Sequence, residues 1–217
     1  MSNQINYIYE EYDNYWIYNN IIFIKPIFNG EISSINFPLL LDNNKQIINN
    51  KLTQLYFSDH NNITKSINKY NFNKNIYEQP DIYIKGYGFE YENILVKSKF
   101  NNLVDNLSSN ITELTLGWYF NKPVDNLPNK LTYLTFGIEF NHPVDNLPCS
   151  LTHLDLCYNF NQSLNYLPCS LTHLILGYYF QNSLDNLPNS ITNVYISEHG
   201  YDYDEELNSK IKLHYYN

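Results

Sequence analysis

The chain contains no alanine and no arginine, and only three cysteines and seven glycines among its 217 residues. Each shortage removes a class of explanation. The spacing of the three cysteines matches no zinc or nucleophile motif; Cys149 and Cys169, twenty residues apart, would be close enough for a bridge if oxidised, but with no export signal reduced thiols are expected. Seven glycines leave no room for a phosphate-cradling loop. With 13 lysines against 22 acidic residues the net charge is −9 and the pI about 5.0, a balance that repels nucleic-acid phosphates and anionic lipid. No nucleic acid and no membrane is therefore expected as a partner, and a basic protein is favoured. Long apolar runs are missing too. The longest, Ile21 to Ile24, is far too short to span a bilayer, and the opening residues have no basic start followed by an apolar stretch. The expectation is a soluble protein of the cytoplasm.

What is abundant is Asn, Ile, Tyr and Phe, and from residue 100 to 199 these fall into one sentence repeated five times at a step of twenty. The second and third copies read FNKPVDNLPNKLTYLTFGIE and FNHPVDNLPCSLTHLDLCYN. A period in this range means a solenoid. Six positions stay apolar in every copy, represented by Phe120, Val124, Leu127, Leu131, Leu134 and Phe136. The last three form L-x-x-L-x-L, whose final part alternates in and out with period two and reads as a short strand. Leu127, Leu147, Leu167 and Leu187 each precede a proline, which pushes them away from helix, and Pro123 and Pro143 interrupt the segment again. The predicted fold is all-β: a right-handed parallel β-solenoid of the leucine-rich-repeat kind, with twenty-residue coils and no helix on the outside. A single coil cannot bury enough apolar surface to offset the entropy of ordering it, so stacked neighbours must close the deficit.

The pattern F-N-x-P-V-D-N-L-P-x-S-L-T-x-L-x-L-G resembles the FNIP repeat, a family found in proteins of social amoebae and of giant DNA viruses that infect amoebae, and similar to short leucine-rich repeats. The first copy departs from it with Leu103 and Ser108 in place of proline, and the fourth and fifth with Ser163 and Ser183. The resemblance implies the same source, with the host cytoplasm as the location if the source is viral. Such proteins often carry an F-box ahead of the repeats, which would imply a ubiquitin-ligase adaptor. Residues 1–70 show no helical period that would support one.

The domain reading is 1–99 as degenerate repeat coils or an N-terminal β cap, 100–199 as five repeats, and 200–217 as a C-terminal cap. Stepping the strand template back in twenties finds Leu52-x-x-Leu55-x-Phe57, Ile32-x-x-Ile35-x-Phe37 and a coil with Met1, Ile5, Ile8, Tyr12, Tyr15 and Ile17 inward. Tyr91, Ile94 and Val96 lie one step before Ile111, and Ile211 one step beyond Ile191. The acidic cluster Asp202, Asp204, Glu205 and Glu206 would keep the terminal edge soluble.

Between the inward leucines, each strand sends residues out onto one sheet. The first column reads Glu113, Tyr133, His153, His173, Asn193, and the second Thr115, Thr135, Asp155, Ile175, Tyr195. Trp118, Ile138, Tyr158 and Tyr178 follow the glycine position. Variable chemistry on a constant frame suits recognition of a protein partner. The residues singled out for that face are Tyr133, His153, Asp155, His173, Ile175 and Tyr195. By contrast, the threonine column from Thr112 to Thr192 and the aspartates Asp105, Asp125, Asp145 and Asp185 read as structural, the latter as turn-formers. No catalytic residue, metal or cofactor is expected. His153, His173 and Asp155 could approach one ion, but ligands on a flat strand array rarely converge. A structural or particle-associated protein is the other alternative.

Overall fold

In each repeat the strand is only a few residues long because a turn bounds it on both sides. Before it, the residue after the leucine-proline pair opens a tight turn, closed by Leu131 N–H to the Pro128 carbonyl at 3.0 Å and by the same bond at Leu151, Leu171 and Ile191. After it, Phe120 N–H reaches Gly117 O at 3.1 Å, a bond repeated at Phe140 and Phe180. A computed structural model describes residues 10–11, 15–18, 21–28, 30, 54–57, 98–105, 107–197 and 211–216. Among these it shows ten strands in one sheet and no helix.

The repeats supply β5 (Glu113–Thr115), β6 (Tyr133–Thr135), β7 (His153–Asp155), β8 (His173–Leu176) and β9 (Asn193–Ser197). All are parallel, and Leu114, Leu134, Leu154, Leu174 and Val194 are direct partners. The polypeptide therefore winds as a right-handed parallel β-solenoid of the leucine-rich-repeat kind with a twenty-residue coil. All six apolar columns turn inward into one core. Phe100, Phe120, Phe140, Phe160 and Phe180 form an aromatic spine, fully buried, with successive centroids 6.0 to 6.2 Å apart.

Polar ladders tie the coils along the axis. Each Asn that follows the spine Phe accepts the backbone N–H of its equivalent one coil on: Asn101 from Asn121, Asn121 from Asn141, Asn141 from Asn161 and Asn161 from Gln181, at 2.9 to 3.0 Å. Each repeat threonine donates its hydroxyl to the preceding threonine carbonyl, as Thr152 does to Thr132 at 3.0 Å. Ser150, Ser170 and Ser190 donate to Leu131, Leu151 and Leu171. Where serine replaces proline, its hydroxyl takes over the turn: Asn165 N–H donates to Ser163 and Asp185 N–H to Ser183. The aspartates differ from expectation in part. Asp185 does bond within its own turn, but Asp125 accepts the side-chain amide of Asn146 from the following coil at 2.9 Å.

The glycine column marks a close approach of backbone to backbone. A Cβ on Gly137 would fall 1.8 Å from the Gly117 carbonyl oxygen, and on Gly177 1.6 Å from that of Cys157. Cys157 occupies the same column and escapes by taking φ to 52°, the left-handed region.

The described N-terminal strands depart from a plain twenty-residue step. β1 (Glu10–Glu11), β2 (Tyr15–Tyr18) and β3 (Ile21–Ile24) pair antiparallel, and β3 then runs parallel to β4 (Gln54–Phe57), which pairs with β5. Tyr15 and Ile17 are buried as expected, but on an antiparallel strand rather than a coil. Leu55 is also inward as expected, yet its sheet neighbours are Ile22 and Leu114, so Leu55 holds the place beside Leu114 that the twenty-residue step assigns to Ile94. Met1, Ile5, Ile8, Tyr12, the Ile32–Phe37 and Tyr91–Val96 segments and the Asp202–Glu206 cluster lie outside the described residues. At the far end β10 (Lys212–Tyr216) pairs parallel with β9, Leu213 opposite Val194, one residue short of the repeat step.

Candidate recognition face

Strand alternation sends two columns of side chains away from the core, and they meet different fates. In the first, Tyr133, His153 and His173 lie half-buried and face to face. Tyr133 stacks on His153 with centroids 4.2 Å apart, and His153 on His173 at 4.3 Å, the planes within 13° and 10° of parallel. The threonine ladder sets their tautomers. Thr152 spends its only proton on the Thr132 carbonyl, so its oxygen accepts from His153 Nδ1–H at 2.8 Å. Thr172 donates to Thr152 and accepts from His173 Nδ1–H at 2.9 Å in the same way. His173 Nε2 is then the acceptor for Asn193 Nδ2 at 3.1 Å, and Asn193 Oδ1 accepts from His214 Nε2 at 3.4 Å.

A neutral stack is what this arrangement favours. Burial disfavours the charged ring of His153, and the neighbouring His173 adds to it, which lowers the His153 pKa to about 4. His173 is lowered by burial and then by His214.

The second column corrects the sequence reading. Asp155, Ile175 and Tyr195 point out of the sheet as expected, but they are only 1%, 3% and 3% exposed. They continue a column that begins with Phe23 and Tyr56, also buried, whose rings are 5.3 Å apart. Tyr195 is covered on one side by His214, stacked at 4.4 Å. The Asp155 carboxylate turns back to accept the N–H of Cys157 at 3.0 Å. This bond holds the turn at which Cys157 adopts its left-handed backbone. The outer side of the sheet thus carries a second packed layer. With its carboxylate engaged and the two imidazoles parallel rather than convergent, the His153, His173 and Asp155 trio has no shared point for an ion. No group of three metal-ligating side chains occurs among the described residues.

Of the residues after the glycine position, Trp118 and Ile138 are buried with Cys157, and Tyr158 packs partly against them. The next row was overlooked in the sequence. Tyr119, Glu139, Asn159 and Tyr179 follow one another up the axis, each backbone N–H bonded to the preceding coil, as Glu139 N–H is to Trp118 O at 3.1 Å. Tyr119 and Tyr179 are 44% and 49% exposed, and Asn159 donates to Glu139 at 3.2 Å. The signal for this row was available: it changes at every step, from Tyr119 to Glu139, Asn159 and Tyr179. Tyr179 meets Tyr158 and Tyr178 edge-on, each at 5.2 Å.

The FNIP Repeat family model matches residues 100–139, 123–159 and 160–199. No curated protein matches the chain. Among solved structures, the chain is similar to a giant-virus protein described as CroV588, a novel circular LRR protein structure, with 36% sequence identity over 54% of this chain and a TM-score of 0.46. The match spans 19% of that protein's length. No helix among the described residues is long and apolar enough to cross a membrane. The chain is a repeat scaffold whose residues 100–199 are FNIP repeats, wound as a leucine-rich-repeat-like parallel β-solenoid.

Proposed function

We propose that the chain is a non-catalytic scaffold that recognises a protein partner through the accessible part of its outer face. The observation that carries this reading is the contrast between columns. Every inward position keeps its apolar character through the five coils, whereas Glu113, Tyr133, His153, His173 and Asn193 present four different side chains in the same five coils. Aromatic rings held rigid by stacking are efficient anchors, since little side-chain entropy remains to be lost on binding. The accessible anchors are Tyr133, His153 and His173, bordered by Tyr119 and Tyr179. Asp155, Ile175 and Tyr195, buried in the neighbouring column, border them on the same side of the sheet. A net charge of −9 favours a basic partner. The described strands β1 to β4 and β10 lie at the two ends of the sheet, where a parallel stack needs capping.

The test is affinity capture with quantitative mass spectrometry, comparing the native chain with a Tyr133→Ala, His153→Ala, His173→Ala triple variant of unchanged secondary structure. A partner lost by at least tenfold in the variant supports the reading, and a partner set that survives intact removes it. An adaptor of a ubiquitin ligase would need a helical unit within 1–70. The described residues there include strands β1 to β4 and no helix.

A further inference from the structure

Cys149 and Cys169 occupy the same position in successive coils, each in the Pro-Cys-Ser-Leu turn that precedes a strand. Both turns are closed by the same bond, Leu151 N–H to Pro148 O at 3.0 Å and Leu171 N–H to Pro168 O at 3.1 Å, so the two thiol-bearing residues leave superposed backbones in the same direction. Ser170 locks one turn onto the other: its hydroxyl lies 2.5 Å from the Cys149 carbonyl oxygen and 2.7 Å from that of Leu151. Equivalent positions of successive coils are separated by about 4.8 Å in the strands and by 6.0 to 6.2 Å between ring centroids along the Phe spine, a range inside the roughly 4.4–6.8 Å that the Cα atoms of a disulfide span. Both thiols are free and exposed. The other coils carry Ser109, Asn129 and Asn189 at this position, so the pairing exists at one step only.

We propose that Cys149 and Cys169 form a reversible disulfide clip between the third and fourth coils, driven by a low-molecular-weight disulfide such as oxidised glutathione. One cysteine thiolate attacks a sulfur of oxidised glutathione and expels one glutathione thiolate, leaving a mixed disulfide on the chain. The second thiolate attacks the protein sulfur and expels the other glutathione. Two protein thiols are oxidised by two electrons, their protons end on the two released glutathione thiols, and one protein disulfide remains. The third cysteine, Cys157, is buried beside Trp118 and Ile138 and takes no part. Because each coil depends on its neighbours, a covalent tie between two of them resists separation of the stack at that step.

The experiment incubates the full chain at micromolar concentration with oxidised glutathione and reads intact mass and free thiols after denaturation. The expected result is joint loss of two thiols, a mass lower by two hydrogens, no retained glutathione and no covalent dimer, with a melting temperature raised by several degrees that returns on adding dithiothreitol. Cys149→Ser should instead keep one glutathione as a mixed disulfide on Cys169, which shows that the second thiol is what displaces it. Chymotryptic peptides should join Cys149 to Cys169. Two glutathiones on the native chain, covalent dimers, or a bridge to Cys157 would overturn the assignment.

Discussion

His153 and His173, one coil apart, stack with their imidazole centroids 4.3 Å from each other and their planes 10° from parallel. Each ring gives its Nδ1–H to the threonine before it, and His173 Nε2 accepts from Asn193, a bond that only the neutral ring can make. In the folded chain the His153 pKa falls to about 4, whereas in the unfolded chain it returns to about 6.5.

Stability should therefore depend on pH in one direction. Between about pH 4 and 6.5 the unfolded chain binds more protons at this site than the folded one, so the contribution is complete above 6.5 and is lost as pH falls toward 4. The ring is partly exposed, and solvent screening reduces the effect to about 1 kcal/mol. Urea unfolding of the native chain and of His153→Gln at pH 7.5 and 4.5 measures it, and the native chain should lose more. An NMR titration midpoint for His153 near 6.5 would contradict the packing described.

Gly137→Ala should destabilise strongly, by about 3 kcal/mol, because the added methyl meets the Gly117 carbonyl and backbone cannot yield as a side chain can. Cys157→Ala in the same column should cost only about 1 kcal/mol, since the backbone there has already rotated to φ 52° and only the thiol's packing is lost. Chemical denaturation of both variants checks the ranking.

The asparagine ladder predicts an asymmetry along the chain. Asn121→Ala removes the acceptor for Asn141 N–H and should cost about 1 kcal/mol. Gln181→Ala, at the last described rung, keeps the backbone bond to Asn161 and should cost less than about 0.5 kcal/mol. Equal losses would mean that the ladder contributes nothing.

Truncating the spine tests the core. Phe140→Ala, fully buried between Phe120 and Phe160, should cost about 3–5 kcal/mol and lower the urea midpoint accordingly.

The coil itself was legible because inward columns such as Leu114, Leu134, Leu154 and Leu174 repeat without a break, and periodicity reports which side of a strand a residue leaves. It does not report whether that side is covered. Ile175 and Tyr195 alternate outward yet are buried, as are Phe23 and Tyr56 at the other end of the same column, with half-buried Thr115 and Thr135 between. The described N-terminal strands depart from the twenty-residue register for a related reason. The step of twenty assumes that each neighbour is one coil back, but Leu55 pairs with Ile22 and Leu114. Asn19 and Asn20, between the apolar runs Tyr15–Tyr18 and Ile21–Ile24, are the hairpin signal that a solenoid template passes over. The Asn that follows Phe100, Phe120, Phe140 and Phe160 keeps a fixed place in the repeat, which was the clue to its ladder.

The most direct test of the winding is a methyl nuclear Overhauser experiment on leucine-labelled protein. Leu134 should show cross-peaks to Leu114 and Leu154, its partners on either side, and none to Leu174. Missing peaks between residues twenty apart, or a run of helical amide contacts through 120–140, would contradict the account.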